Sequence, residues 1–234
     1  MREFFQTQTA LTAQAFAALS PHLVPVELRE GDLLAATDAA IDAVWFPESA
    51  VASCMDVVSN GSRVELGIVG YEGMVGWPLL LGCETSAHDV VVQVGGGTAL
   101  RADADAFVET CRLMPEAAAL FRRYIGAFTV QIGRTAVSNL RDPVEQRLSR
   151  WLLMCHDRLE GDEIDLTHKT IATTLGVRRA SVTDGLHNLE GERMISNRRG
   201  RIVISDRPKL QRLAGEGYGH AEAHYNRMVA PFGK

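Results

Sequence analysis

The residues best suited to chemistry lie together in the segment 166 to 190, LTHKTIATTLGVRRASVTDGLHNLE, where Thr167, His168, Lys169, Arg178, Arg179, Ser181, Thr183 and Asn188 offer hydroxyls, an amide, an imidazole and cations at close spacing. Cations pair with phosphates, and hydroxyls, amides and guanidiniums can read base edges, so the combination fits a nucleic-acid surface. A little further on, Arg198, Arg199 and Arg201 place three guanidiniums around Gly200. Catalytic patterns are missing: there is neither a Gly-x-Ser-x-Gly elbow nor a phosphate-cradling Gly-x-x-x-x-Gly-Lys loop. Cys54, Cys83, Cys111 and Cys155 form no Cys-x-x-Cys, so a zinc knuckle or thiol redox pair is not encoded, and buried free thiols in a reducing cytoplasm are expected. Only His22 and His88 precede residue 156, with no His-x-His, which leaves the alternative of a metal-dependent cupin-like enzyme without its ligand cluster.

Two helices must carry the polar groups of residues 166 to 190. Thr167 can cap a first helix whose buried side is Ile171, Ala172 and Leu175; Gly176 allows a sharp turn, Val177 plugs the corner, and a second helix from about Arg179 buries Val182, Leu186 and Leu189. A small residue at the crossing, a glycine in the turn and a β-branched residue inside are what a helix-turn-helix requires, and a chance amphipathic hairpin would rarely supply all three. Gly185 inside the second helix is unfavourable by about 1 kcal/mol relative to alanine, and close approach of another helix would account for it. Downstream, Met194-Ile195 and Ile202-Val203-Ile204 flank the arginines as the strands of a basic hairpin, or wing.

The chain up to about residue 110 reads differently. After a short apolar helix ending near Leu19, strand-like runs recur at 23–28, 43–46, 51–58, 63–69, 90–94 and 98–101, separated by glycine turns, as in an all-β sandwich or barrel. Asn60-Gly61 marks a hairpin between the third and fourth of them. From about Leu113 the pattern becomes helical. Ala117, Phe121, Tyr124, Phe128, Gln131, Thr135 and Ser138 step by fours and threes to about Leu140, a seam suited to a second copy of the chain, or alternatively to the chain's own β domain. Asp142 then reads as the cap of a fresh helix with Pro143 at its first position, followed by an apolar stripe of Val144, Leu148, Trp151, Leu152 and Cys155.

The charge follows this division. Residues 1–140 carry 8 basic against 16 acidic side chains, a net of −8, whereas residues 141–213 carry 14 against 11, a net of +3. An acidic half joined to a mildly basic half suits a nucleic-acid reader attached to a domain with another task. No uncharged run approaches the roughly 20 residues needed to cross a bilayer, so a membrane partner is not expected, and the N-terminal segment MREFFQTQTALTAQAF lacks the apolar core of an export signal.

A β-rich first half, a long connecting helix and a winged helix-turn-helix, with the motifs RLSRWLLMCHDR at 147–158, LGVRRASVT at 175–183 and RGRIVISD at 199–206, together resemble the Crp-Fnr family of bacterial transcription regulators over nearly the whole chain. The resemblance implies an α+β protein: a cyclic-nucleotide-binding-like jelly roll over 1–112, a dimerisation helix over 113–141 and a winged helix-turn-helix domain over 142–234. It implies a homodimer reading palindromic double-stranded DNA, with RNA polymerase a further partner. In such a dimer Phe121, Tyr124, Phe128, Gln131 and Thr135 would form the interface. Arg179 matches the family's guanine-reading arginine, while Ala180 and Asp184 stand where relatives carry a glutamate and a second arginine. In nucleotide-binding members the phosphate cassette holds Gly-Glu and then Arg-Ser/Thr-Ala. Here Gly76 is followed by Trp77 and Pro78, and Thr85 precedes Ser86-Ala87, so the charged partners of a cyclic phosphate are lacking and Trp77 is placed to fill the vacated pocket. No cysteine cluster for an iron-sulfur centre is present, and Cys83 or His88 as a haem ligand stays open. The cofactor and the small-molecule effector are therefore unidentified, and constitutive DNA binding on a β scaffold is the alternative.

Overall fold

The computed structural model describes residues 13–58, 61, 63–198 and 200–234. Helix α1 (Ala13–Leu19) leads into seven strands: β1 (Val24–Leu28), β2 (Leu33–Ala35), β3 (Ala43–Pro47), β4 (Val51–Val57), β5 (Arg63–Val69), β6 (Asp89–Val94) and β7 (Gly97–Asp103). They form two antiparallel sheets, one ordered β1-β7-β3 and the other β2-β6-β4-β5. Val44, Phe46, Cys54, Val69, Val90, Val92 and Leu100 supply the core of this domain, all at 2% exposure or less, from the strand faces turned toward each other. The predicted hairpin is the β4–β5 pair; Ser59, Asn60 and Ser62 lie outside the described residues, as do residues 1–12.

Two elements depart from the expected pattern. A helix, α2 (Ala104–Leu113), follows β7 where strands were expected up to about residue 110, because Asp103 ends the strand and caps the helix by accepting from the Asp105 amide at 3.1 Å. Short β2 was not anticipated; its three residues are too few to show a period.

The long helix α3 (Pro115–Arg141) then runs beside the sandwich. Its seam points inward. Phe121, Tyr124, Phe128, Gln131 and Thr135 are between 1% and 8% exposed. Phe121 packs on Phe46 and Phe107, with ring centroids 6.0 and 5.3 Å away. The Gln131 amide pairs with β5, accepting from the Ile68 N–H at 2.7 Å and donating to the Ile68 carbonyl at 3.2 Å. β5 is an edge strand, and this side chain occupies hydrogen-bonding groups that an edge otherwise leaves open. The five residues expected at a dimer interface therefore belong to the chain's own core. The opposite side of α3 carries exposed Gly126, Gly133, Val137 and Leu140 with half-buried Val130, at spacings of four and three.

Helix α4 (Val144–Arg158) opens the second half with Pro143 rather than Asp142 as its cap. It is followed by β8 (Glu163–Asp165), α5 (His168–Leu175), α6 (Arg179–Gly191), β9 (Ile195–Arg198), β10 (Arg201–Ile204), α7 (Arg207–Ala214) and α8 (His220–Met228). The three strands form one sheet ordered β8-β10-β9. Leu148, Trp151, Leu152, Ile171, Leu175, Val182, Leu186, Ile195 and Ile202 close a second core, which also takes in Val51, Ile68 and Val94 from the first domain.

Candidate nucleic-acid interface

The helix-turn-helix forms for local reasons. Thr167 Oγ1 accepts from the Thr170 amide at 3.1 Å and so caps α5. Gly176 ends the helix in the left-handed region at φ +62°, where a side chain would be strained, and the Val177 amide donates back to the Ala172 carbonyl at 3.0 Å. Ile171, Val182 and Leu186 are fully buried between the helices. A methyl group at Gly185 would stand 3.2 Å from the Leu148 side chain, so this glycine lets α6 sit close against α4.

That packing fixes which side chains of α6 face outward. Arg178 and Arg179 are exposed at its N-terminus, and Thr183 follows one turn later. Ala180, Asp184 and His187 share the exposed side; His187 was not among the expected contacts, although it stands four residues after Thr183 and eight after Arg179. Ser181 is half-buried, and the Asn188 amide donates to Glu145 Oε1 at 2.5 Å on the flank facing α4. These two are thus less available than the residues around Arg179.

At the entrance to α5, Lys169 is exposed while His168 is half-buried and bridges three elements. Its Nδ1 lies 3.1 Å from Thr183 Oγ1 on α6 and its Nε2 3.5 Å from Asn197 Nδ2 on β9. His168 therefore ties the reading helix to the wing.

In the wing, Arg198 pairs in register with Arg201, and Gly200 takes φ +76° at the tip. Arg198 is exposed, and Arg199 lies outside the described residues. Arg201 pairs with Glu163 at 2.9 Å and Asp165 at 3.0 Å on β8, surface contacts that leave its side chain about half exposed.

The residues expected to line an effector pocket are held by their neighbours. Gly76, at φ +96°, starts the 3-10 turn Trp77–Leu81, and the Trp77 ring packs on Phe128 at 4.8 Å. Tyr124 lies so close over Gly73 that an added methyl would meet its ring at 2.4 Å. Thr85 and Ser86 are held in bridges to Ala40 and Thr37, and the Ser86 hydroxyl donates to the His88 carbonyl at 2.7 Å. Trp77, Tyr124 and Phe128 thus fill the space between the 3-10 turn and α3 with aromatic rings. The four cysteines are free; Cys54, Cys111 and Cys155 are buried, and desolvation pushes the Cys54 and Cys111 thiols up to about 12, whereas Cys83 is exposed.

Residues 146–213 match the Crp-like helix-turn-helix domain. Over most of its length the chain has the fold of Crp/Fnr-family transcriptional regulators. It is similar in structure to a putative crp/fnr-family transcriptional regulator from Eubacterium rectale, at 15% identity and TM-score 0.68, covering 90% of this chain and 98% of that one. It is also similar to a CRP-family transcriptional regulator from Thermus thermophilus, at 17% identity and TM-score 0.67 over 82% and 97% of the two chains. The c-di-GMP-responsive global regulator CLP of Xanthomonas campestris matches at 14% identity and TM-score 0.65 over 82% and 99%. No curated protein sequence matches this chain. Among the described residues no helix is long and apolar enough to cross a membrane.

Proposed function

We propose that this chain is a transcription regulator that binds double-stranded DNA sequence-specifically as a homodimer. The observation that carries the reading is the exposed N-terminus of α6, where Arg178 and Arg179 stand clear of the protein while Val182, Leu186 and Leu189 anchor the helix. A helix held in this way enters a major groove with its first turns against base edges, and Arg179 donates two hydrogen bonds to the O6 and N7 of a guanine. Thr167, Lys169 and Arg198 meet phosphates and set the register.

The two copies pair through the outer side of α3, along Gly126, Val130, Gly133, Val137 and Leu140. Val137 and Leu140 are 43% and 86% exposed, and two glycines inside a long helix are each unfavourable by about 1 kcal/mol unless something comes close to them. Among the described residues, nothing beyond the adjoining turns of the helix itself lies within 4 Å of where a methyl on either glycine would be. Reading helices related by this axis address half-sites about 34 Å apart.

The effector is not a cyclic nucleotide held in the usual way: Thr85 stands where that mode of binding needs an arginine, and Trp77, packed on Phe128, stands where it needs a glutamate. The test is to capture fragments of genomic DNA with the purified protein and footprint those retained. Two protected half-sites one helical turn apart are expected; retention that is indifferent to sequence, or a single protected half-site, would contradict the proposal.

A further inference from the structure

The end of the chain leaves the second domain and returns to the first. After α7 it turns through Gly215–Gly217, and α8 then lies along α3. The Tyr225 hydroxyl donates to the Glu72 carbonyl at 2.6 Å. The Phe232 ring packs against those of Tyr71 and Tyr225, with centroids 5.7 and 5.2 Å away, and the Arg158 guanidinium lies 4.9 Å over it. Arg123 on α3 donates to the Met228 carbonyl at 2.9 Å. At its other end the segment is held by α4: Arg150 donates to the Gly217 carbonyl at 2.9 Å, and the Tyr218 hydroxyl donates to buried Asp157 at 2.6 Å. It thus spans the joint between the domains and is tied to both sides.

What this segment holds closed is visible on the reader. A methyl on Gly176, in the turn of the helix-turn-helix, would lie 3.7 Å from the Val64 side chain of β5, and Gln93 of β6 is 3.5 Å from Thr174 of α5. Lys169, Thr170 and Thr173 form one wall of a cleft of about 320 Å³ whose facing wall includes Glu30, Arg63 and Gln93. That volume suits a small molecule and not a duplex. A DNA backbone laid along the start of α5 at exposed Lys169 would have the β-domain wall of this cleft, with acidic Glu30, across from it.

We propose that the C-terminal segment from Gly215 to Lys234 is an intramolecular strap that keeps the reader docked on the β domain in a self-inhibited arrangement, and that its release frees Lys169 and the start of α5 for phosphate. The inhibition rests on the DNA-binding reading above; the strap itself does not. Release requires that the aromatic contacts of Tyr225 and Phe232 and the bonds to Glu72 and Arg123 be lost; the strap adds these to the direct contacts of α4 with the sheet, Trp151 to Glu65 and Arg158 to Glu72, and so shifts the balance of the joint. The bistable element is the joint between domains, and the strap biases it.

The experiment compares the full chain with Tyr225→Phe and with Tyr225→Phe/Phe232→Leu by hydrogen exchange and by affinity for a selected duplex. The single change deletes one hydroxyl and leaves the ring, so it keeps the test meaningful if the double variant is less stable. Expected are a fivefold or greater acceleration of exchange in β5 and α5 for the single variant, more for the double, unchanged exchange in β3 and β7, and a matching gain in duplex affinity. Unchanged exchange in β5 and α5 overturns the strap. Faster exchange there with unchanged or weaker affinity overturns the self-inhibition. If no form of the protein, opened or not, selects any duplex, the DNA reading itself fails, while the exchange data still decide whether the segment is a strap.

Discussion

The indole of Trp151 on α4 donates to Glu65 Oε1 on β5 at 2.8 Å, and both side chains are buried where the two domains meet. The other carboxylate oxygen of Glu65 accepts from the Ser53 hydroxyl at 2.5 Å. Nearby, Arg158 pairs with Glu72 at 2.8 Å, each side chain 2% exposed. The helix that opens the reader is thus joined to the sheet by buried polar groups set in an apolar surface of Val51, Ile68 and Val94.

Glu65 gives this joint a pH dependence. Burial outweighs the donors Ser53 and Trp151 and the charges of Arg150 and Arg158, raising its carboxyl from the ordinary 4.5 to about 7. A group whose folded value is raised contributes stability that is fully present below 4.5 and is lost as pH rises through 7. Relative to Glu65→Gln, whose amide can keep both hydrogen bonds, the native chain should lose up to about 1.4 kcal/mol per pH unit across that window. Urea unfolding of both proteins at a series of pH values checks this; parallel curves would show that Glu65 does not titrate there.

The Arg158–Glu72 pair should be strongly cooperative. Arg158→Met leaves Glu72 buried without its cation and is expected to destabilise by about 3 to 5 kcal/mol, whereas the double change with Glu72→Leu recovers most of the loss. A double-mutant cycle in thermal melts measures the coupling, and additive effects would count against it.

The two sides of α3 should respond oppositely to mutation. Phe128→Ala removes a ring packed on Trp77 and Tyr124 and should lower stability by about 3 to 5 kcal/mol without changing the state of association. Val137→Glu on the outer side should leave the melting temperature of the chain nearly unchanged and shift sedimentation from dimer to monomer. The reverse pattern would restore the inner seam as the interface.

The inner seam of α3 resembles a helix–helix contact in sequence for a physical reason. Both sides of α3 carry the same spacing of fours and threes, and periodicity states which residues share a face without stating what covers it. Aromatic residues favour the reading of a helix–helix seam, yet Gln131 among them is satisfied only by the backbone of β5, a long-range pairing that the sequence does not display. The helix-turn-helix was legible because its constraints are local: Ala172, Gly176 and Val182 act within a dozen residues of one another. The strap and the commitment of Arg201 to β8 depend on contacts between distant segments, and α2 was missed because a single cap, Asp103, separates it from a strand.

The proposal that no cyclic nucleotide binds in the usual way also has a measurable outcome. Adding 3′,5′-cyclic AMP at millimolar concentration should leave the melting temperature unchanged, because a ligand stabilises only to the extent that it binds the folded form. A concentration-dependent rise would show that Trp77 moves aside.

The central claim is tested most directly by selecting duplexes from a random pool with the purified protein and with Arg179→Ala, at several salt concentrations. The account predicts an enriched inverted repeat, relaxed at one position in each half-site by Arg179→Ala with a loss of about 1 to 3 kcal/mol per reader. An unselective pool from both proteins, retained only at low salt as phosphate attraction alone would produce, would contradict it.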